Sequence, residues 1–152
     1  MRGRTGMWFE AKIAWTKTMQ DGMMKTVMEK YVVEAMSFTE AEARITKELA
    51  DECPSFEIKD LTIAAYKEVF FSETETDQEE KWYQVKVEYV TIDEKTYKEK
   101  KTKVPYLFSG LASETLMGDI YDVFDRGLME YNIVDLKETK IVDVYEGLRG
   151  DD

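Results

Sequence analysis

Slid against itself, the chain matches its own second half. Met7 to Trp15 (MWFEAKIAW) falls on Lys81 to Tyr89 (KWYQVKVEY) at an offset of 74 residues, so that Trp8 meets Trp82 and Lys12 meets Lys86. Further on, Phe56 to Phe70 falls on Tyr131 to Tyr145 at an offset of 75, with Ile58/Ile133, Asp60/Asp135, Leu61/Leu136 and Val69/Val144 identical. Between these blocks Tyr31 meets Tyr106 and Ile45 meets Ile120. The change of offset falls between the first two strands of each copy, in a hairpin, where chains tolerate insertion. Because the same order of elements recurs, and not merely scattered identities, the sequence predicts an α+β chain of two tandem β-β-α-β repeats, with antiparallel sheets, two helices and pseudo-twofold symmetry.

Each copy carries the same local signals. Residues 7–17 alternate, with Phe9, Ala11, Ile13 and Trp15 on one face and Trp8, Glu10 and Lys12 on the other, the pattern of a half-buried strand. Asp21-Gly22 is a hairpin turn signal, and residues 25–35 return with Val27, Tyr31 and Val33 inward. Ser37-Phe38-Thr39-Glu40 has capping-box spacing and opens a helix to about Asp51, with Phe38, Ala41, Ile45 and Leu49 as its apolar stripe. Residues 56–71 read as one long strand bent near Asp60, since Ile58 and Leu61 cannot share a face of a regular strand. The second copy repeats this as strands 81–92 and 101–109, a helix capped by Ser113 with Leu116, Ile120, Val123 and Phe124 inward, and strand 131–145. The expected divisions are a disordered extension at 1–6, a first repeat at 7–72, an acidic linker at 73–80, a second repeat at 81–146 and a polar tail at 147–152. One such repeat buries only a thin core, so both are expected in one compact unit.

Several function classes are excluded or disfavoured by composition. The chain has 43% hydrophobic and 35% charged residues, values of a globular chain and not a disordered one. No apolar run is long enough for a membrane span and no leader pattern opens the chain, so no membrane partner is expected and the location is read as cytoplasmic, in a bacterial host cell. Cys53 is the lone cysteine, which fits a reducing compartment, and it is read as a small residue near a helix end. A net charge of −11 repels nucleic-acid backbones globally and leaves only local patches to attract them. There is no histidine, phosphate loop, dinucleotide-binding turn, nucleophile elbow or paired-cysteine motif, so the reading is a non-enzyme with no cofactor, no metal and no catalytic residues.

The candidate ligand-binding residues are Trp8, Lys12, Trp82, Lys86, Tyr97, Lys98, Lys100 and Lys101. Trp8 and Trp82 sit on the otherwise polar face of their strands, where an exposed indole would be a stacking platform for bases; the alternative is that this face is covered. Lys95 to Lys103 (KTYKEKKTK) places five lysines around Tyr97 in the second hairpin, able to attract phosphate, or else to serve as solvated lysines that protect an edge. Asp60 and Asp135 are read as caps of a bulge in preference to a carboxylate pair for a metal. Met19, Met23, Met24 and Met28 cluster at the first hairpin and are read as core filler, with an adaptable partner surface as the alternative.

Met7-Trp8-Phe9-Glu10 with Lys12, the stretch Ser37 to Arg44 (SFTEAEAR), and Trp82-Tyr83 with Val85-Lys86-Val87 resemble an uncharacterised domain-of-unknown-function family of small Bacteroidetes and Bacteroides-phage proteins. The resemblance spans roughly residues 7–146; it implies that Met1 to Gly6 is an upstream start, and it brings no catalytic residues. It does imply a phage or mobile-element setting. The expected function is therefore a binding module, an accessory protein for single-stranded nucleic acid or a nucleotide. The alternatives are a sponge for a nucleotide signal acting against host defence, and an acidic adaptor or nucleic-acid mimic docking on a host or phage protein. A homodimer fits any of these.

Overall fold

The computed structural model describes residues 1–74, 78–111 and 113–147, without the side chains of Ser113 and Glu114. The cap expected at Ser113, residues 75–77 of the expected linker and residues 148–152 of the tail lie outside the described residues. In chain order the elements are β1 (Arg2–Arg4), β2 (Trp8–Thr18), β3 (Met24–Glu34), α1 (Phe38–Leu49), β4 (Glu57–Ala64), β5 (Val69–Phe71), β6 (Lys81–Ile92), β7 (Glu99–Gly110), α2 (Ser113–Phe124), β8 (Glu130–Glu138) and β9 (Ile141–Tyr145). The chain is α+β, with two helices and two sheets. It divides into two compact units, each drawing on separate stretches of sequence.

The first, the α1 unit, comprises Gly6–Ala65 and the segment from Lys140 onward. Its sheet has the order β4-β2-β3-β9, with β2 antiparallel to β3 and β4 while β9 runs parallel to β3. The β2–β3 hairpin turns at Gly22, whose φ of 82° is left-handed backbone that glycine adopts without a Cβ clash, and the Asp21 carboxylate accepts the Met23 N–H at 3.0 Å. Alternation puts Phe9, Ala11 and Ile13 with Tyr31 and Val33 on one face, and α1 lays Ala41, Ile45 and Leu49 on them. Fully burying one such Ile or Leu is worth roughly 1.5–3 kcal/mol. Phe38, expected inward, is half exposed but meets the Phe9 ring edge-on at 5.0 Å. Ser37 caps α1, its hydroxyl accepting the Glu40 N–H at 3.1 Å. Glu40 reaches back to the Met36 N–H at 3.0 Å and pairs with Arg44; these two contacts hold its carboxyl below the usual range.

The second, the α2 unit, comprises Met1–Thr5 and Tyr66–Thr139, with sheet order β1-β5-β7-β6-β8. Here β6 is antiparallel to β7 and β8, and β5 runs parallel to β7. Tyr83, Val85 and Val87 with Tyr106 and Phe108 face Leu116, Ile120 and Phe124 of α2. Phe70 joins them, stacked on Phe108 at 4.5 Å.

Three expectations are corrected. The long strands expected at 56–71 and 131–145 are each broken in two, at 65–68 and at 139–140. The leading half of each stays beside its own hairpin, and the trailing half, β5 or β9, adds a parallel strand to the sheet of the other unit. The sheets are therefore mixed, and the compact units are not the stretches 7–72 and 81–146. Finally, the expected disordered extension at 1–6 contains β1, antiparallel to β5 and held by the Arg2 guanidinium 4.5 Å from the Phe71 ring centre and by the Met1 ammonium 3.1 Å from Glu73. No helix among the described residues is long and apolar enough to cross a membrane.

Candidate functional site

In the α2 unit the sheet outruns its helix. A strand of the length of β6 or β7 extends about 40 Å, whereas a helix of the length of α2 extends about 18 Å, so one end of the hairpin projects past the helix end. The helix stops with the Asp125 N–H on the Tyr121 carbonyl at 2.8 Å and the Gly127 N–H on the Phe124 carbonyl at 3.1 Å. Past that turn a cleft of about 590 Å³ opens between α2 and the sheet. Its floor is Tyr89, Thr91, Thr102 and Val104 of the hairpin, its inner wall Phe70, Tyr106 and Phe124, and its rim Lys67, Glu68, Gly127 and Met129. That volume is in the range of small-molecule pockets, and the mix of aromatic walls with a few polar groups is their usual chemistry.

The walls are mutually braced. Tyr106 meets Phe124 edge-on at 4.8 Å and lies 6.1 Å from Phe70. The hydroxyls of Tyr89 and Tyr106 share a hydrogen bond of 2.7 Å. Burial, then the bond to Tyr89, pushes the Tyr106 phenol well above the ordinary tyrosine range, so it is neutral at physiological pH. Burial also raises the Glu68 carboxyl, with Lys67 opposing the shift. Nearby, the Tyr131 hydroxyl donates to Asp125, and its pKa is pushed up to about 12, by desolvation first and that bond second.

A family profile described as Domain of unknown function (DUF4494) matches residues 7–147. The chain belongs to this family. No curated protein matches it. The matched span holds the whole cleft, while β1 lies outside it.

The residues singled out from the sequence are not brought together. Trp8 and Lys12 belong to the α1 unit and the others to the α2 unit. Trp8 is 1% exposed and Trp82 6%, so neither indole offers a face to a base, and the covered-face alternative holds for both. Trp82 packs edge-on against Phe71 at 5.4 Å, and the Trp8 Nε1 is buried without a hydrogen-bond partner. Lys12 stands opposite Asp60, and Lys86 opposite Asp135, in registers that shift by one residue at the next position; each aspartate flanks such an irregularity, as read from the sequence. Asp60 accepts its neighbour Leu61's N–H at 3.0 Å. Among the described residues no group of three or more His, Cys, Asp or Glu is placed to hold a metal.

The lysine hairpin is built as a projecting finger. Asp93 accepts the Lys95 and Thr96 N–H groups at 2.8 and 3.1 Å, and Tyr97 sits at the tip with a φ of 58° and 84% exposure. Lys98 follows in the same turn, its carbonyl accepting the Asp93 N–H at 2.9 Å. Lys100 pairs with Thr91 and so lies on the cleft face of the hairpin, whereas Lys101 pairs with Val90 on the opposite face, which also carries Lys86. The first hairpin departs from its expectation too: Met19, Met23, Met24 and Met28 are between 39% and 69% exposed and fill no core.

Lys67, Glu68, Tyr89 and Tyr106 of the cleft were not singled out. One signal was available: at the offsets of 74 and 75 residues, Trp15 and Cys53 fall on Tyr89 and Leu128. A smaller ring and a displaced segment after the helix are what leave the space open.

Proposed function

We propose that this chain is a non-enzymatic binding module whose ligand is a nucleotide, held with its base against the half-buried Tyr89 ring of the α2-unit cleft and its phosphate toward Lys67 and Lys100. One observation carries the reading: a cleft of about 590 Å³ sets the half-buried Tyr89 ring, backed by three buried aromatic side chains, beside a lysine at its rim. Flat rings stack on such walls regardless of base identity, and a lysine at the mouth supplies a point charge for phosphate. The matching activity in this reading is sequestration and not turnover. In a phage or mobile-element setting that activity is the removal of a nucleotide signal, exercised in the cytoplasm. The internal duplication belongs to the same proposal; the like order of elements and the register shifts after Lys12 and Lys86 support it.

Thermal-shift and calorimetric titration with mononucleotides, cyclic dinucleotides and short oligonucleotides tests this. Binding of one of the first two classes, weakened at least tenfold by Tyr89→Ala or Lys67→Ala, is expected. No binding of either class at millimolar concentration refutes it. Oligonucleotide binding that ignores both substitutions and responds to Lys101→Ala instead returns the function to single-stranded nucleic acid on the finger.

A second reading, a protein-protein adaptor, is favoured by the exposed methionines at the first hairpin. Flexible thioether surfaces adapt to several partners.

A further inference from the structure

Lys67 and Glu68 enter the cleft side by side from backbone that is pinned to β7. The Lys67 N–H donates to the Pro105 carbonyl at 3.0 Å, and the Leu107 N–H donates to the Glu68 carbonyl at 3.3 Å. The Glu68 side chain is half-buried and lines the cleft, and among the described residues its carboxylate makes no hydrogen bond or ion pair. A carboxylate offers about four lone-pair sites, and withdrawing them from water is costly unless donors meet them. The Tyr89 and Tyr106 hydroxyls share one hydrogen bond, which commits one of their two O–H donors, and neither is bonded to Glu68. The unmet acceptor capacity of the cleft is therefore concentrated at one side chain on pinned backbone, its carboxylate beside Gly3 of β1 and next to a lysine of opposite character.

We infer that the base held in the cleft is guanine-like, with Glu68 accepting its ring N–H and its exocyclic amine together. This rests on the nucleotide reading above and names its base. Guanine presents two adjacent donors on one edge, spaced like the two oxygens of a carboxylate, and such paired contacts add geometric selectivity to strength. Adenine sets a ring acceptor beside its amine, and that acceptor would oppose the carboxylate. The aromatic wall cannot make this distinction, because every base has a π-face. Selection of the base accordingly falls to Glu68, and the wall supplies the common part of the affinity.

The test is calorimetric and thermal-shift titration of the full chain with GMP, IMP and AMP, IMP being the analogue that lacks the exocyclic amine. GMP is expected to bind roughly ten- to hundredfold tighter than the other two, the discrimination usual for one good bidentate contact. Glu68→Gln preserves size, and the hydrogen bonds at positions 67 and 68 are made by backbone, so the variant should fold with an unchanged circular dichroism spectrum. It should lose most of the GMP preference, while AMP binding is unchanged or tighter, because a carboxamide sets a donor opposite the adenine ring acceptor. Equal affinity for GMP and AMP, or a GMP preference that survives Glu68→Gln, overturns the assignment and leaves the nucleotide reading standing. No binding by any of the three, nor by cyclic dinucleotides, overturns both.

Discussion

The two units put the same kind of helix on the same kind of hairpin and finish the job differently. Under the end of α1, Tyr31 stacks on Tyr145 at 5.9 Å, Cys53 is 2% exposed, and Trp15 packs against the cluster with its indole N–H on Glu29. Burial pushes the Tyr31, Tyr145 and Cys53 groups up in pKa, as expected of a dry end to a core. Under the end of α2 the corresponding offsets bring Tyr106, Phe70 and Tyr89, but the residue matching Cys53 is Leu128, which is fully exposed. One apolar side chain that turns outward, and an indole reduced to a phenol, separate a closed core from a cleft. Packing density leaves little middle ground: a space that is not filled by the protein must be filled by water or a ligand.

The strongest way to break this comparison is to collapse the wall of the cleft. Phe124→Ala removes a ring that touches Phe70, Tyr106, Phe108 and Tyr131, and should cost about 3–5 kcal/mol in chemical denaturation. Hydrogen exchange should locate the loss in β6, β7 and α2. Equal loss of protection in β2 and α1 would mean that the units unfold as one, and that their difference is one of shape alone. A sharper contrast comes from placing the same charge at positions 53 and 128: Cys53→Asp should destabilise by at least about 2 kcal/mol, since it buries a carboxylate near Glu29 and Glu52, whereas Leu128→Asp should stay within about 0.5 kcal/mol. Comparable melting temperatures for the two variants would contradict the closed-versus-open description.

The smallest effect concerns pH. Because burial raises the Glu68 carboxyl, the folded chain takes up that proton more readily than the unfolded one. Ionised Glu68 therefore costs stability above the ordinary carboxylate range, and the cost is relieved as pH falls through the raised value. The groups facing it are Lys67, which favours the charge, and the buried Tyr106 phenol, and its carboxylate lies beside Gly3 of β1. Glu68→Gln should raise the melting temperature at pH 7 by about 2 °C or less, and the gain should vanish toward pH 4. A gain independent of pH would show that the carboxylate is already satisfied.

Much of the fold was legible, and the reasons are local. Alternation marked β2 and β6, the Asp21-Gly22 pair marked the first turn, and the Ser37 to Glu40 spacing marked the start of α1, each through a contact among near neighbours. What escaped was nonlocal. Nothing in residues 56–71 says that their two halves belong to different sheets, because both alternate like a strand and the decision is made by partners distant in sequence. Likewise Arg2–Arg4 has no apolar pattern and becomes a strand only because β5 offers it an edge. The site was misjudged for a related reason. Trp8 and Trp82 were conspicuous as residues and are buried, while the cleft turns on Tyr89 and Leu128, which stand out only when they are set against Trp15 and Cys53.

The exchange of trailing strands has a consequence for anyone who would cut this chain in two. A break in the acidic stretch after Phe71 would put one hairpin and one helix in each piece, yet each piece would keep a strand that its counterpart requires and surrender one of its own. Neither fragment could complete a sheet by itself, and a nick there should leave the protein intact, its pieces reassembling only in each other's company.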